Sequence, residues 1–229
     1  MLVEVKDLSV EFGTVKAVRN VSFALERGET VGLVGESGSG KSTVARVIAG
    51  LQKPTAGACK VNCRVGMIFQ DPLGSLNPRQ TVRSMLSEVL RHGGGKGENS
   101  PEALLKLVGL EWEVLDKYPH EFSGGQRQRL SIAREIAAEP ELLICDEAVS
   151  ALDLSVRATI LDLLKELKAK FSLTLLFITH DLGVVNYLAD RVMVMQRGQI
   201  IEKGPSGKVL KAPREAYTKR LIASVLRLT

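Results

Sequence analysis

Between residues 35 and 43 the chain reads Gly35-Glu36-Ser37-Gly38-Ser39-Gly40-Lys41-Ser42-Thr43. This fits G-x-x-x-x-G-K-[ST], the pattern of a loop that wraps phosphates. The residue types suit that role. Glycines let the backbone turn sharply and approach an anion closely. Consecutive N–H groups and the dipole of a following helix then face the charge. Lys41 would reach the terminal phosphates, and the Ser42 hydroxyl would bind Mg2+. Other reactive types stand at the ends of apolar runs: Gln70 after Met67-Ile68-Phe69, Asp146 and Glu147 after Leu142–Cys145, and His180 after residues 173–179. Phosphoryl transfer from ATP needs a phosphate cradle, a metal, a group that orients water and charge stabilisation at the γ-phosphate. On that scheme Asp146 would hold the Mg2+ shell and Glu147 would polarise the attacking water as general base. His180 would donate toward the γ-phosphate. Gln70 would bind Mg2+ and water and move with a helical lobe. Taken singly, a carboxylate at a strand end is often a helix cap and a lone histidine is often structural. Together, after a phosphate loop, they favour the functional reading.

The elements around these residues follow from hydrophobic period. Residues 2–11 and 15–26 alternate apolar and polar about Gly13, as paired antiparallel strands do. Phe12 stands at their turn, where an edge aromatic is the simpler reading and a stacking platform for a nucleobase the functional one. Residues 29–34 are a buried strand leading into the phosphate loop, and Val44, Val47, Ile48 and Leu51 have helical spacing behind it. A turn at 53–57 precedes an expected strand over 60–70. The breaker-rich stretch 71–78 then marks a lobe boundary. Helices are expected over 81–91 and 100–109, with a polar loop at 93–99 and a short helical piece at 112–118. Phe122-Ser123-Gly124-Gly125-Gln126 opens another helix, whose glycine-rich start makes a second anion-facing backbone. The strand at 142–146 is followed by a long helix that Ser155 can cap. The strand at 173–179, a hairpin about Arg197-Gly198 and a last helix over 215–228 complete the chain. Apolar runs bounded by helices imply a parallel sheet covered on both faces.

The 229 residues suffice for a large domain with a real core. The hydrophobic fraction of 45% and charged fraction of 25% are those of an ordinary globular chain. No apolar run is long enough to span a bilayer and Met1-Leu2-Val3-Glu4 begins no signal peptide, so a cytosolic chain is expected. Net charge is +5, but residues 203–229 carry seven basic residues and one acid, leaving the rest almost neutral. A basic tail of this kind is a solvated surface able to touch anionic lipid headgroups, and nucleic acid is not an expected partner. Cys59, Cys63 and Cys145 are expected to remain unpaired in a cytosolic chain. Cys59 and Cys63 could share one strand face as a metal or redox pair, and Cys145 reads as a core thiol.

Taken in order, these motifs resemble the nucleotide-binding subunit of an ABC transporter over nearly the whole chain. The Walker A loop is Gly35–Thr43 and the Q-loop centres on Gln70. The signature motif reads Phe122–Gln126, where leucine is the usual first residue. Walker B is Leu142–Asp146 with Glu147 after it, the D-loop is Ser150-Ala151-Leu152-Asp153, and the switch histidine is His180. The resemblance implies an α/β fold: a P-loop NTPase core with a mainly parallel sheet, an N-terminal antiparallel sub-sheet and an inserted helical subdomain. The core would be 1–71 with 139–229, and the helical subdomain 72–138. It implies ATP and Mg2+ as cofactors and gives Phe12 the adenine-stacking role. It also implies a head-to-tail pair in which Ser123, Gly124, Gly125, Gln126 and Asp153 act in trans on the partner's ATP.

A narrower likeness rests on Phe69–Arg79, Tyr118–Arg129 and the ending Tyr217-Thr218-Lys219-Arg220-Leu221. These resemble the dipeptide, oligopeptide and nickel importer branch. That branch implies transmembrane permease subunits as partners, a solute-binding protein acting indirectly, and a peripheral position on the cytoplasmic face of the cell membrane. The segment between Leu51 and Gln70 is shorter than usual, which predicts a trimmed antiparallel sub-sheet. The C-terminal extension of many peptide-importing relatives is absent, which leaves nickel or another small solute open. A non-transport ABC-type ATPase and a nucleotide-binding regulatory module are the alternatives. The short helical lobe and intact Glu147 and His180 count against them.

Overall fold

Thr30–Val34 (β3) is buried at every residue, as are Leu142–Asp146 (β6) and Thr174–Thr179 (β7). Strands with no polar face need cover on both sides, which is the situation inside a parallel sheet. In the computed structural model, which describes residues 1–92 and 100–226, these strands form the middle of a six-stranded sheet. Its order is β5-β6-β7-β3-β8-β9, where β5 is Val65–Ile68, β8 Arg191–Gln196 and β9 Gln199–Pro205. The neighbours from β5 to β8 are parallel, and β9 folds back antiparallel. The turn between β8 and β9 puts Arg197 at φ 47° and Gly198 at φ 83°, the left-handed pair that matches strand twist in a tight hairpin. Register places Ile68 opposite Cys145, Asp146 opposite Ile178 and Val34 opposite Thr179. The C-terminal ends of β5, β6, β7 and β3 therefore emerge along one edge.

A second, antiparallel sheet has the order β2-β1-β4, from Val3–Phe12 (β1), Val15–Leu25 (β2) and Ala56–Val61 (β4). Alternation gives it one apolar face. Val3, Val5, Leu8, Val10, Val21 and Phe23 pack with Leu33, Ile144 and the buried side of Lys41–Ile48 (α1). The expected single strand over 60–70 is in fact two strands in two sheets. Asn62 donates its N–H to Leu2 and ends β4, while the carbonyl of Arg64 accepts from Glu141 and Leu142 at the start of β5. The exposed side chains of Asn62 and Arg64 interrupt the apolar run, so one covalent segment serves both sheets.

Between β5 and β6 the described residues form helices: Pro72–Ser75 (α2), Val82–His92 (α3), Pro101–Leu107 (α4) and Gly124–Ala137 (α5). Short 3-10 turns at Trp112–Val114 and Pro119–Glu121 replace the expected helical piece at 112–118. α4 starts as its sequence demands, with Ser100 accepting from the Ala103 N–H and Pro101 in the first turn. Leu86, Leu104, Leu105 and Leu130 pack with Leu143 of the sheet and with Ile160 and Leu164 of Leu154–Phe171 (α6). The cap of α6 is Asp153, not Ser155: its carboxylate accepts the Val156 N–H at 2.9 Å, and Ser155 donates to the same oxygen at 2.8 Å. A carboxylate satisfies the helix start better than the hydroxyl, so the helix begins two positions earlier than expected.

Two further helices, Leu182–Leu188 (α7) and Ser206–Lys211 (α8), join Ala216–Leu226 (α9) around Val34, Val192 and Val194. Sequence reading passed over α7 and α8 because each is short and carries a glycine. The expected loop at 93–99 and the last residues of the expected helix over 215–228 lie outside the described residues.

Candidate functional site

β3 ends at Val34, and the Gly35–Gly40 loop carries the chain into α1. A Cβ on Gly35 would lie 2.1 Å from the Met195 carbonyl oxygen, so only glycine lets the loop pass β8. Gly40 begins α1 in the left-handed region at φ 105°, and a Cβ there would lie 2.4 Å from the Ala17 carbonyl oxygen. We expect Gly40→Ala to destabilise the chain by about 2 kcal/mol, lowering the thermal midpoint by about 4–8 °C for a protein of this size. An unchanged midpoint would show that the loop relaxes around the methyl group. The loop is also held by the Gly198 N–H, which donates to the Ser39 carbonyl at 2.9 Å. The start of α1 has neither a side-chain cap nor an acid in its first turn, which leaves its N–H groups for an anion.

Lys41 is 4% exposed and points back into this loop. Its Nζ donates to the carbonyls of Gly35 and Glu36, both at 2.8 Å, and to Ser39 Oγ at 3.4 Å. Burial pulls the Lys41 ammonium below its usual pKa, against the opposing pull of Glu147, Asp146 and Glu36. A buried cation held only by neutral oxygens is a strong receptor for a phosphate oxygen.

Asp146 ends β6 at 7% exposure and accepts a hydrogen bond from Ser42 Oγ at 2.9 Å. Burial pushes its carboxyl above the usual range, while the Ser42 hydroxyl and the charges of Arg46 and Lys41 pull it back. This pair of hard oxygen donors suits Mg2+, which takes one or two protein ligands and completes its shell with water and phosphate. Among the described residues no group of three or more His, Cys, Asp or Glu side chains could hold a metal on protein ligands alone.

Glu147 follows at φ 50°, a left-handed conformation unusual for glutamate. Its N–H donates to Ile178 on β7 at 2.9 Å, and its carbonyl accepts from the N–H and Oγ of Ser150 at 3.1 and 2.9 Å. These bonds hold the strained residue, whose side chain is only 19% exposed. Oε2 lies 3.7 Å from Nδ1 of the largely exposed His180, within ion-pair range but beyond a hydrogen bond. The structure thus brings Lys41, Ser42, Asp146, Glu147 and His180 to one edge of the sheet.

The other expected site residues lie apart from this group. Gln70 is exposed beyond the end of β5, at the same sheet edge but three strands from β3. Phe12 is 50% exposed at the β1–β2 turn. Ser123 caps α5 and bonds reciprocally with Gln126, so both side chains serve their own helix. Asp153 caps α6, and the Val156 N–H holds its carboxyl below the usual range. The starts of α5 and α6 touch: a Cβ on Gly125 would lie 2.6 Å from Val156 Cγ1, and Leu152 is within 4.0 Å of one built on Gly124. The 123–126 segment and Asp153 therefore form one surface.

Sequence reading missed Arg157. Its guanidinium donates to Asp181, next to His180, at 2.9 Å and to the Leu152 carbonyl at 3.2 Å. It ties the turn before α6 to the turn after β7, a link between residues 24 apart that no local pattern announces. The three cysteines are free, and burial pushes each thiol up, so none is an activated nucleophile. Among the described residues no helix is long and apolar enough to cross a membrane.

The family model described as "ABC transporter" matches residues 18–150. An oligopeptide transport ATP-binding protein, OppF of Bacillus subtilis, is 44% identical over 250 residues, covering 98% of this chain and 82% of the relative. OppF of Salmonella typhimurium is 42% identical over 259 residues, covering 98% and 78%. Among solved structures, cbiO1 from Clostridium perfringens, part of the ABC transporter complex cbiONQ, superposes with TM-score 0.78 at 26% identity over 99% of this chain and 96% of that one. A dimeric ATP-binding cassette in a post-hydrolysis state, bound to ADP and Pi, superposes with TM-score 0.76 at 28% identity over 89% and 98%.

Proposed function

The chain belongs to the ABC transporter ATP-binding family, and from that premise we propose that it powers oligopeptide uptake as one half of a paired ATPase docked on membrane permease subunits. The observation that carries the reading is the convergence of Lys41, Ser42, Asp146 and Glu147 at one sheet edge. Oligopeptide, rather than nickel, is the solute favoured by the names of the relatives. A solute-binding protein would act indirectly, and the chain would sit peripherally on the cytoplasmic face of the membrane.

In this reading the loop from Gly35 to Thr43 holds the phosphates, and Lys41, aimed by the Gly35 carbonyl, donates to phosphate oxygens. Phe12 stacks on the adenine. Ser42 and Asp146, with Gln70, would hold Mg2+, which when bound neutralises charge on the phosphates. Glu147 takes a proton from the attacking water, and its fixed backbone keeps the carboxylate in place. His180 donates toward the γ-phosphate. Residues 72–138 act as a helical lobe on a core of 1–71 and 139–229, and pass motion at Gln70 to the permease. Ser123–Gln126 and Asp153, turned toward their own helices, form the wall presented to a second chain's ATP. A single chain then has half of its pocket and hydrolyses slowly.

Mixing two damaged chains tests the shared pocket. Ser123→Arg and Lys41→Ala chains should each be nearly inactive alone. Their mixed dimer contains one site with both walls intact, so turnover should partly return, because catalysis needs both walls organised around the γ-phosphate. No recovery, with dimerisation shown independently, would mean that the two sites must work together or that this chain needs a different partner. Strong turnover by Ser123→Arg alone, at a concentration with no detectable dimer, would refute the trans role.

A further inference from the structure

The last described helix reaches the phosphate loop. Tyr217 on α9 is 6% exposed and packs with Val34, Val185 and Val194, so its ring lies beside the residue that leads into the loop. Its hydroxyl oxygen accepts the Glu36 N–H at 3.0 Å, across 181 positions of sequence. Burial pushes the phenol above its usual pKa, so it stays a neutral hydroxyl at physiological pH.

The Glu36 N–H belongs to the same peptide unit as the Gly35 carbonyl. That carbonyl accepts from Lys41 Nζ at 2.8 Å. A trans peptide is planar, with its N–H and C=O pointing in opposite directions. Tyr217 and Lys41 therefore grip one rigid plate from its two sides. Rotating the plate would move the carbonyl that aims the ammonium. The other two contacts of Lys41 do not fix this plate. The bond to Ser39 Oγ is longer, at 3.4 Å, and the Glu36 carbonyl lies on the next peptide.

We propose that Tyr217 is a positioning residue of the nucleotide site, its hydroxyl fixing the Gly35–Glu36 peptide so that Lys41 meets the phosphates in the right orientation. This rests on the reading of the loop as an ATP site and extends that site to α9. Tyr217 touches no substrate. It acts through the peptide, and it makes nucleotide affinity depend on how α9 is seated.

The test is isothermal titration of the full chain with ATP and with ADP, alongside thermal melting. Tyr217→Phe keeps the ring and removes only the hydroxyl. Both nucleotides should bind about three- to tenfold more weakly, the range of one hydrogen bond's net contribution, and the midpoint should fall by about 1–6 °C. Ile222→Ala is the comparison, because Ile222 packs against the same cluster from α9 and carries no polar group. It should lower the midpoint and leave affinity within about twofold of the unaltered chain. Tyr217→Phe binding within about twofold of wild type overturns the assignment, since that is below one hydrogen bond's range. So does an equal loss of affinity in Ile222→Ala, which would reduce α9 to a packing role. A wild-type chain that binds neither nucleotide overturns the ATP reading itself and this assignment with it.

Discussion

A Lys41→Ala chain is expected to fold and to lose tight ATP binding. The Lys41 ammonium is the cation buried in the loop, and it donates to Gly35, Glu36 and Ser39. Each charge-assisted hydrogen bond to a phosphate contributes about 1.5–3 kcal/mol, so losing one or two weakens binding by about one to four orders of magnitude. The fold should survive. Burial pulls the Lys41 pKa down, so the pocket holds the charge at some cost to the empty protein. Alanine removes that cost while leaving the carbonyls of Gly35 and Glu36 open to water that replaces the ammonium. Titration with ATP reads the effect, and melting checks the fold. Unchanged affinity would end the assignment of this loop as a triphosphate site.

Glu147→Gln should bind ATP as before and turn it over about 10²–10⁴-fold more slowly, the usual contribution of a positioned base. The amide keeps the side chain's shape and loses its basicity. The backbone bonds to Ile178 and Ser150 do not involve the carboxylate, so the left-handed conformation at φ 50° should persist. With hydrolysis blocked, ATP and Mg2+ should accumulate the closed pair, visible by size-exclusion chromatography. Turnover within about threefold of wild type would remove Glu147 as the base, because the change would fall far below a base's contribution.

The two substitutions separate binding from chemistry, and the sequence alone suggested both. Gly35–Thr43 is legible because its spacing is local: the glycines, the lysine and the hydroxyl all lie within nine consecutive residues. The buried strands were legible for a related reason. An apolar run such as Leu142–Cys145 must leave water, and two carboxylates at its end mark where the apolar strand stops. Periodicity also found the long helix after Asp153, but not its cap. Ser155 and Asp153 are both good cap residues, and only the coordinates show which one meets the Val156 N–H.

Residue type and short spacing alone gave the α/β alternation, the glycine-rich Gly35–Thr43 loop and the set of groups standing at strand ends. The tertiary structure decided which groups meet. Hydrophobic pattern records that a residue is buried and says nothing about which partner buries it. So it could not split residues 60–70 between two sheets, or tie Arg157 to Asp181. Nor could it join Tyr217 to the Glu36 N–H: any N–H will take any acceptor that the fold delivers, and delivery across 181 residues is set by how the helices pack on the sheet.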